Sequence, residues 1–146
     1  MGKKKIAQKG AGKKNNALRA RALSKSSKKK KKLSEGILHV QSTYNNTRAS
    51  LTDNEGNLFF SSSAGALGFR GAKKGTPFAA AKVGEVVGEQ ATMAGVKKVR
   101  VSVKGAGSGR EGVIRAFIAK GIDLISIVDN TPVPHNGPKA KKPRRV

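Results

Sequence analysis

The first 34 residues of the chain hold 14 Lys or Arg and no acid, and the last eight, 139–146, hold five more bases and again no acid. That separation limits what can fold. An arm with KKK at 3–5 and KKKKK at 28–32, set among Gly, Ala, Ser and Asn, has too little apolar surface to offset its ordering entropy. Residues 1–34 are therefore expected to form a basic N-terminal arm that is disordered in the free chain and orders on a polyanion through counterion release. The interval 35–138 keeps 12 bases against all 8 acids and nearly all the apolar periodicity. A single compact domain over 35–130 is expected, followed by an extended basic tail over 131–146.

The whole chain has 146 residues, a net charge of +23 and no cysteine. Disulfide scaffolds, thiolate zinc sites and cysteine nucleophiles are excluded on that count. No run approaches 18 apolar residues and the N-terminus lacks an apolar signal region, so a soluble intracellular protein, or one peripheral to a membrane, is expected. The Lys runs also fit a solubilising or nuclear-localisation segment, and Arg19, Arg21 and Ser24 to Ser27 fit a transit peptide less well.

From Gly36 the pattern has period two. Leu38, Val40, Ser42 and Tyr44 alternate with Ile37, His39, Gln41 and Thr43, which reads as a strand. Asn45-Asn46 offers a tight turn, because Asn tolerates the left-handed region and bonds its own backbone. Thr47 to Thr52 is the returning strand, and Leu58 to Ser62 a third after the turn DNEGN at 53–57. Ser63 to Gly75 reads as loop. Thr76 and Pro77 supply an N-cap and a first-turn proline for a helix with Ala79, Val83, Val86 or Val87, Ala91 and Ala94 on one face, ended by Gly95. Lys97 to Lys104 alternates Val99, Val101 and Val103 with Lys98, Arg100 and Ser102, a strand with one wet, basic face. Ser108 and Glu111 have capping-box spacing for a second helix with Ile114, Phe117 and Ile118 as its apolar stripe, closed by Gly121. The last strand, Ile122 to Val128, is apolar on both parities and is expected to be covered on both faces. The order βββαβαβ predicts an α/β single domain: a mixed β-sheet with two helices, flanked by basic tails.

Catalysis has little support. His39 lies within a strand and His135 in the tail, 96 positions apart, and Asp53, Asp123 and Asp129 each have a simple place in a turn or at a strand end. GAGSGRE at 105–111 lacks the GK[ST] ending of an ATP-binding loop, although its glycines and helix start could still cradle a phosphate between Lys104 and Arg110. No cofactor and no metal are expected. Nucleic acid fits better. In SAGALGFRGAKKG (63–75), Phe69 could stack on a base while Arg70, Lys73 and Lys74 pair with phosphates. Asn45, Asn46 and Thr47 suit backbone or 2′-hydroxyl contacts.

GILHVQSTYNNT (36–47), LTDNEGN (51–57), GFRGAKKGTPFAA (68–80), KGAGSGRE (104–111) and DNTPVPHNG (129–137) together resemble the family of small-subunit ribosomal protein eleven. The spacing from Lys104 to the second helix resembles the short bacterial or organellar form. One departure is the loop expected as KGPGPGRE, where Ala106 and Ser108 replace proline and should loosen it.

The resemblance implies a ribonuclease-H-like core without catalytic acids, hence no enzyme. It implies a structural constituent of the small ribosomal subunit that binds small-subunit ribosomal RNA on the platform, bridging RNA helices and bordering the Shine-Dalgarno cleft. Small-subunit proteins seven, eighteen and twenty-one are its implied neighbours, with messenger RNA and initiation factor three nearby and no membrane partner. The expected location is the cytoplasmic ribosome of a bacterium, or alternatively a mitochondrial or plastid ribosome. The RNA-binding set then comprises Asn45, Asn46, Thr47, Phe69, Arg70, Lys73, Lys74, Lys104, Gly105, Gly107, Arg110, His135, Asn136, Lys139, Lys141, Lys142, Arg144 and Arg145. Asn136-Gly137 is also an isoaspartate candidate, since the glycine nitrogen can attack the Asn carboxamide. A nucleoid protein using the same tails, and a nuclease on a similar core, are the rival classes.

Overall fold

The computed structural model describes residues 33–143 and 145. The basic arm expected over 1–34 lies outside these residues except for its last two, and so does Arg144. Leu33 packs against the core and donates its amide to the Ala94 carbonyl at 3.2 Å, while the Ser34 carbonyl accepts from Lys97 at 3.0 Å. Leu33 and Ser34, expected at the end of the arm, thus contact the folded unit.

Five strands and two helices follow in the expected order: β1 Glu35–Ser42, β2 Thr47–Thr52, β3 Leu58–Ser63, α1 Pro77–Ala94, β4 Lys98–Lys104, α2 Arg110–Ile118 and β5 Asp123–Asp129. The sheet order is β3-β2-β1-β4-β5, with β1, β4 and β5 parallel and β2 antiparallel to both its neighbours. This is a single mixed α/β domain. Both helices lie on one face, α1 over β2 and β3 and α2 against α1 and β1. Leu38, Val40, Ala49, Leu51, Val99, Val101 and Val103 point under them and meet Val83, Val87, Ala91, Val113 and Phe117. The alternation in β1 and β4 has its cause here: one parity is sealed by helix, the other meets solvent. The helices approach closely because Gly84 of α1 has no side chain, and a Cβ there would stand 3.0 Å from that of Ala116.

Five local expectations change. Tyr44 falls outside β1, which ends at Ser42, because the chain turns through Thr43 to Asn46. That turn is closed by Thr43, whose amide and hydroxyl both donate to the Asn46 carbonyl at 2.8 and 3.1 Å. Neither Asn45 nor Asn46 has positive φ. A 3-10 turn, Gly71–Gly75, interrupts the expected loop. In α2 the buried stripe is Val113 and Phe117, with Ile114 partly buried and Ile118 turned outward. The last correction is the largest. β5 is not covered on both faces: it is an edge strand, and Ile127 is 53% exposed. Apolar residues on both parities implied helices on both faces, whereas both helices share one face and neither extends over this edge.

Candidate nucleic-acid interface

Strand direction decides where the candidate residues meet. The C-terminal ends of β1, β3, β4 and β5 and the start of β2 share one end of the sheet, so every loop singled out for RNA emerges there. The hairpin Thr43–Asn46 is at its centre. On one side the Gly75 Cα lies against the Tyr44 carbonyl, and on the other Gly105 and Gly107 lie against Ser42 and Thr43. Side chains in place of these glycines would overlap backbone oxygens, and Gly105 also has φ +101, which disfavours any other residue.

Hydrogen bonds stitch the loops together. Gly107 N–H donates to the Ser42 carbonyl at 3.0 Å, Ala64 N–H to the Thr47 carbonyl at 2.9 Å, and the Ser108 hydroxyl to the Gly75 carbonyl at 2.9 Å. Gly105 N–H donates to Thr131 Oγ1 at 3.1 Å. The Thr131 hydroxyl in turn donates to the Asp129 carboxylate, which also receives the Arg110 guanidinium. Hydrogen bonds from the Thr131 side chain and amide, then the Arg110 guanidinium, hold the Asp129 carboxyl below the usual aspartate range. The loop expected to be loosened by its missing prolines is therefore restrained, and Ser108 supplies one restraint itself.

The amides of Gly105 and Gly107 are consumed inside the fold, so these glycines serve close packing. Ser108 is not the N-cap of α2: Gly109 occupies that position, with no side-chain cap. Lys104 is exposed, and Arg110 is half-buried and turned to Asp129. Arg70 and Lys73 are exposed, and the Lys74 stem lies 3.6 Å from where a Gly65 Cβ would stand. Phe69 is partly buried against the core, its ring edge-on to Phe78 with centroids 6.2 Å apart. Asn45 is exposed, Thr47 is buried with its hydroxyl 3.3 Å from that of Ser42, and Asn46 has a buried side-chain oxygen without a partner. His135, Asn136, Lys139, Lys141, Lys142 and Arg145 are all exposed on the tail that leaves this end after Asn130. Asn136, at φ 53, is the one non-glycine residue with positive φ among those described.

Arg48 was missed. It stands beside Gln41, which pairs on its other side with Lys104, so two exposed cations flank one glutamine on the open face. Its signal was the parity of TRASLT, which places Arg48 opposite the buried Ala49.

The acids are distributed otherwise. Asp53 and Asp123 lie at the opposite end of the sheet from Asp129, and no group of three metal-ligating side chains occurs among the described residues. Asp53 closes its turn by accepting from the amides of Glu55 and Asn57 at 2.9 and 2.8 Å. His39 Nε2 lies 3.1 Å from Thr52 Oγ1, so its ring has a partner within the sheet.

The family model described as ribosomal protein S11 matches residues 36–145. The chain belongs to that family. It is a small-subunit ribosomal protein with a role in translation, in a structural, non-enzymatic family that binds small-subunit ribosomal RNA and ribosomal proteins. Its place is the ribosome, and no helix among the described residues is long and apolar enough to cross a membrane.

Proposed function

We propose that this chain sits on the platform of the small subunit, where its loop end and both basic tails bridge ribosomal RNA helices and border the cleft holding the Shine-Dalgarno duplex. Its neighbours there are small-subunit proteins seven, eighteen and twenty-one, with messenger RNA and initiation factor three close by, in a bacterial cytoplasm or an organelle. The observation that carries this reading is the gathering of Arg70, Lys73, Lys74, Lys104, Arg48 and the tail at one end of the sheet. Among the described residues two acids lie there, Glu111 and the Arg110-bound Asp129. A rigid scaffold with cations on several loops grips phosphates of more than one strand, which is what bridging requires. Asn45, Asn46, Arg110, His135 and Asn136 complete the proposed contact set, Thr47, Phe69, Gly105 and Gly107 shape it from behind by packing and hydrogen bonding, and Lys139, Lys141, Lys142, Arg144 and Arg145 extend it along the tail. Asn136-Gly137 is proposed as an isoaspartate site, with peptide mapping of aged, assembled particles as its check.

Sedimentation of lysate at roughly 0.1 and 0.5 M salt tests the assignment, because simple counterion-driven binding weakens steeply over that range. Retention with the small subunit at both salts is expected, and loss to the top of the gradient at the higher salt would favour a loose nucleoid protein. Replacing Arg70 and Lys73 together by Ala should weaken RNA association and reduce the log–log salt slope by about 1 per lost phosphate contact. An unchanged slope would remove that loop from the interface.

A further inference from the structure

Phe69 was the aromatic side chain expected to stack on a base, and the fold turns it inward. The exposed aromatic rings at the loop end are instead Tyr44, 81% exposed at the tip of the first hairpin, and Phe78, 65% exposed in the first turn of α1. Phe59, Phe60 and Phe69 pack on the core, and Phe117 is inside it. Neither Tyr44 nor Phe78 belongs to the core cluster. The buried stripe of α1 runs through Ala79, Ala80, Val83 and Val87, and Phe78 lies off it. The two rings belong to adjoining segments, because Gly75, three residues before Phe78, rests against the Tyr44 carbonyl.

Phe78 is also held in place. The Phe69 ring meets it edge-on at 82°, and Lys82 Nζ lies 5.9 Å from its centroid, tethered by Glu85 at 2.9 Å. A ring held by its neighbours and still 65% exposed loses little freedom when a flat partner settles on it. The surroundings indicate which flat partner. Arg70, Lys73 and Lys74 precede Phe78 and Lys82 follows it, and Glu85, the acid nearest in sequence, is already paired. Aromatic faces interleaved with cations suit single-stranded nucleic acid: the cations follow the backbone while the rings stack on unpaired bases. A protein partner for two apolar rings would not call for four cations around them.

We infer that Tyr44 and Phe78 are stacking platforms for unpaired bases of the ribosomal RNA, with Phe69 a positioning residue behind Phe78. The inference rests on the proposed RNA-binding role of the loop end, and its test separates the two. Small subunits are reconstituted from ribosomal RNA and the other small-subunit proteins, with the wild-type chain or with Tyr44→Ala, Tyr44→Phe, Phe78→Ala, Phe78→Leu or Phe78→Tyr. Each particle is probed by 2′-hydroxyl acylation, which reads nucleotide mobility, and by hydroxyl radicals, which read backbone contact. Both Ala variants and Phe78→Leu should raise acylation several-fold at a few unpaired nucleotides, leave the backbone footprint in place, and weaken incorporation about tenfold. Tyr44→Phe and Phe78→Tyr, which keep a ring, should match the wild type. Phe78→Leu keeps an apolar contact for Phe69, so its failure cannot be ascribed to lost packing.

Unchanged acylation in the Ala and Leu variants, with the wild-type footprint present, overturns the stacking while leaving the RNA-binding role standing. Loss in Tyr44→Phe equal to that in Tyr44→Ala overturns it for Tyr44, since a hydroxyl bond would then be the contact. Absence of any wild-type footprint from this end would overturn the underlying role, and the stacking with it.

Discussion

Two helices begin at the same end of one sheet and are started differently. At α1, Thr76 is the N-cap: its hydroxyl oxygen accepts from Ala79 N–H at 3.3 Å, and Pro77 follows at the first helical position. At α2 the N-cap is Gly109, with φ −78, ψ −4 and no side-chain cap. The serine with the right spacing, Ser108, gives its hydroxyl to the carbonyl of Gly75, across the cleft between two loops. A capping residue serves its own helix only when the surrounding chain lets it stand at the cap. Before α2 the backbone is pressed onto the β1–β2 hairpin and onto α1, a Cβ at residue 109 would overlap Thr47 Oγ1, and only glycine fits. Local chemistry sets the start of α1, and tertiary packing sets the start of α2.

The most severe way to break that difference is to give the α2 cap a side chain. In Gly109→Ala the new Cβ meets the Thr47 hydroxyl and stands 2.8 Å from the Ala80 Cβ, both on buried residues that cannot retreat. Overpacking of this kind costs about 2–3 kcal/mol. Urea denaturation of the free chain should show that loss, and one below about 1 kcal/mol would mean the loops yield and the glycine is not required.

A gentler comparison uses the hydroxyls themselves. Thr76→Ala removes a true cap and should cost about 1 kcal/mol. Ser108→Ala removes one exposed hydrogen bond between loops and should cost about 0.5 kcal/mol, at the low end of the usual net value. Glu111→Gln should change stability by less than about 0.3 kcal/mol. No capping box exists for it to complete, and its pair with Arg115, 3.7 Å apart on two exposed side chains, is of the kind that contributes little. Equal losses in Thr76→Ala and Ser108→Ala would erase the distinction between the two helix starts.

The same division explains what could be read before any coordinates. β1, β2, β4 and α1 follow from period and punctuation because each has one sealed face and one wet face, and Thr76, Pro77 and Gly95 act on their immediate neighbours. β5 was misjudged because its apolar residues carry no record of where the helices lie. The position of the candidate site was legible in outline, since the direction of each strand sends all the loops to one end. Its fine structure was not. Phe69 in its Gly-rich loop packs on the core, and Phe78 in the first turn of α1 stands off the buried stripe, a difference the sequence did not disclose. Arg48 was hidden for the opposite reason, because one base in TRASLT gains meaning only when Gln41 and Lys104 lie beside it.

Acid sharpens the contrast with the smallest expected effect. Asp129 ties the end of β5 to Arg110 in the first turn of α2, whereas the first turn of α1 has no acid. Thr131 and Arg110 stabilise the ionised form, so the folded-state pKa lies below that of an unfolded aspartate, about 3.9. The contribution is full above the unfolded value and disappears as pH falls through the folded one. Amides near the start of α2, Val113 among them, should therefore lose exchange protection below about pH 4, while Ala79 at the start of α1 keeps its own. Asp53 titrates in the same direction through Asn57, so global stability falls for two reasons, and only the local measurement isolates α2. Asp129→Asn should abolish the acid dependence at Val113 and leave that of the 53–57 turn. If Val113 and Ala79 loosen together, the two helix starts respond as one unit and the Arg110–Asp129 tie does not act on α2 alone.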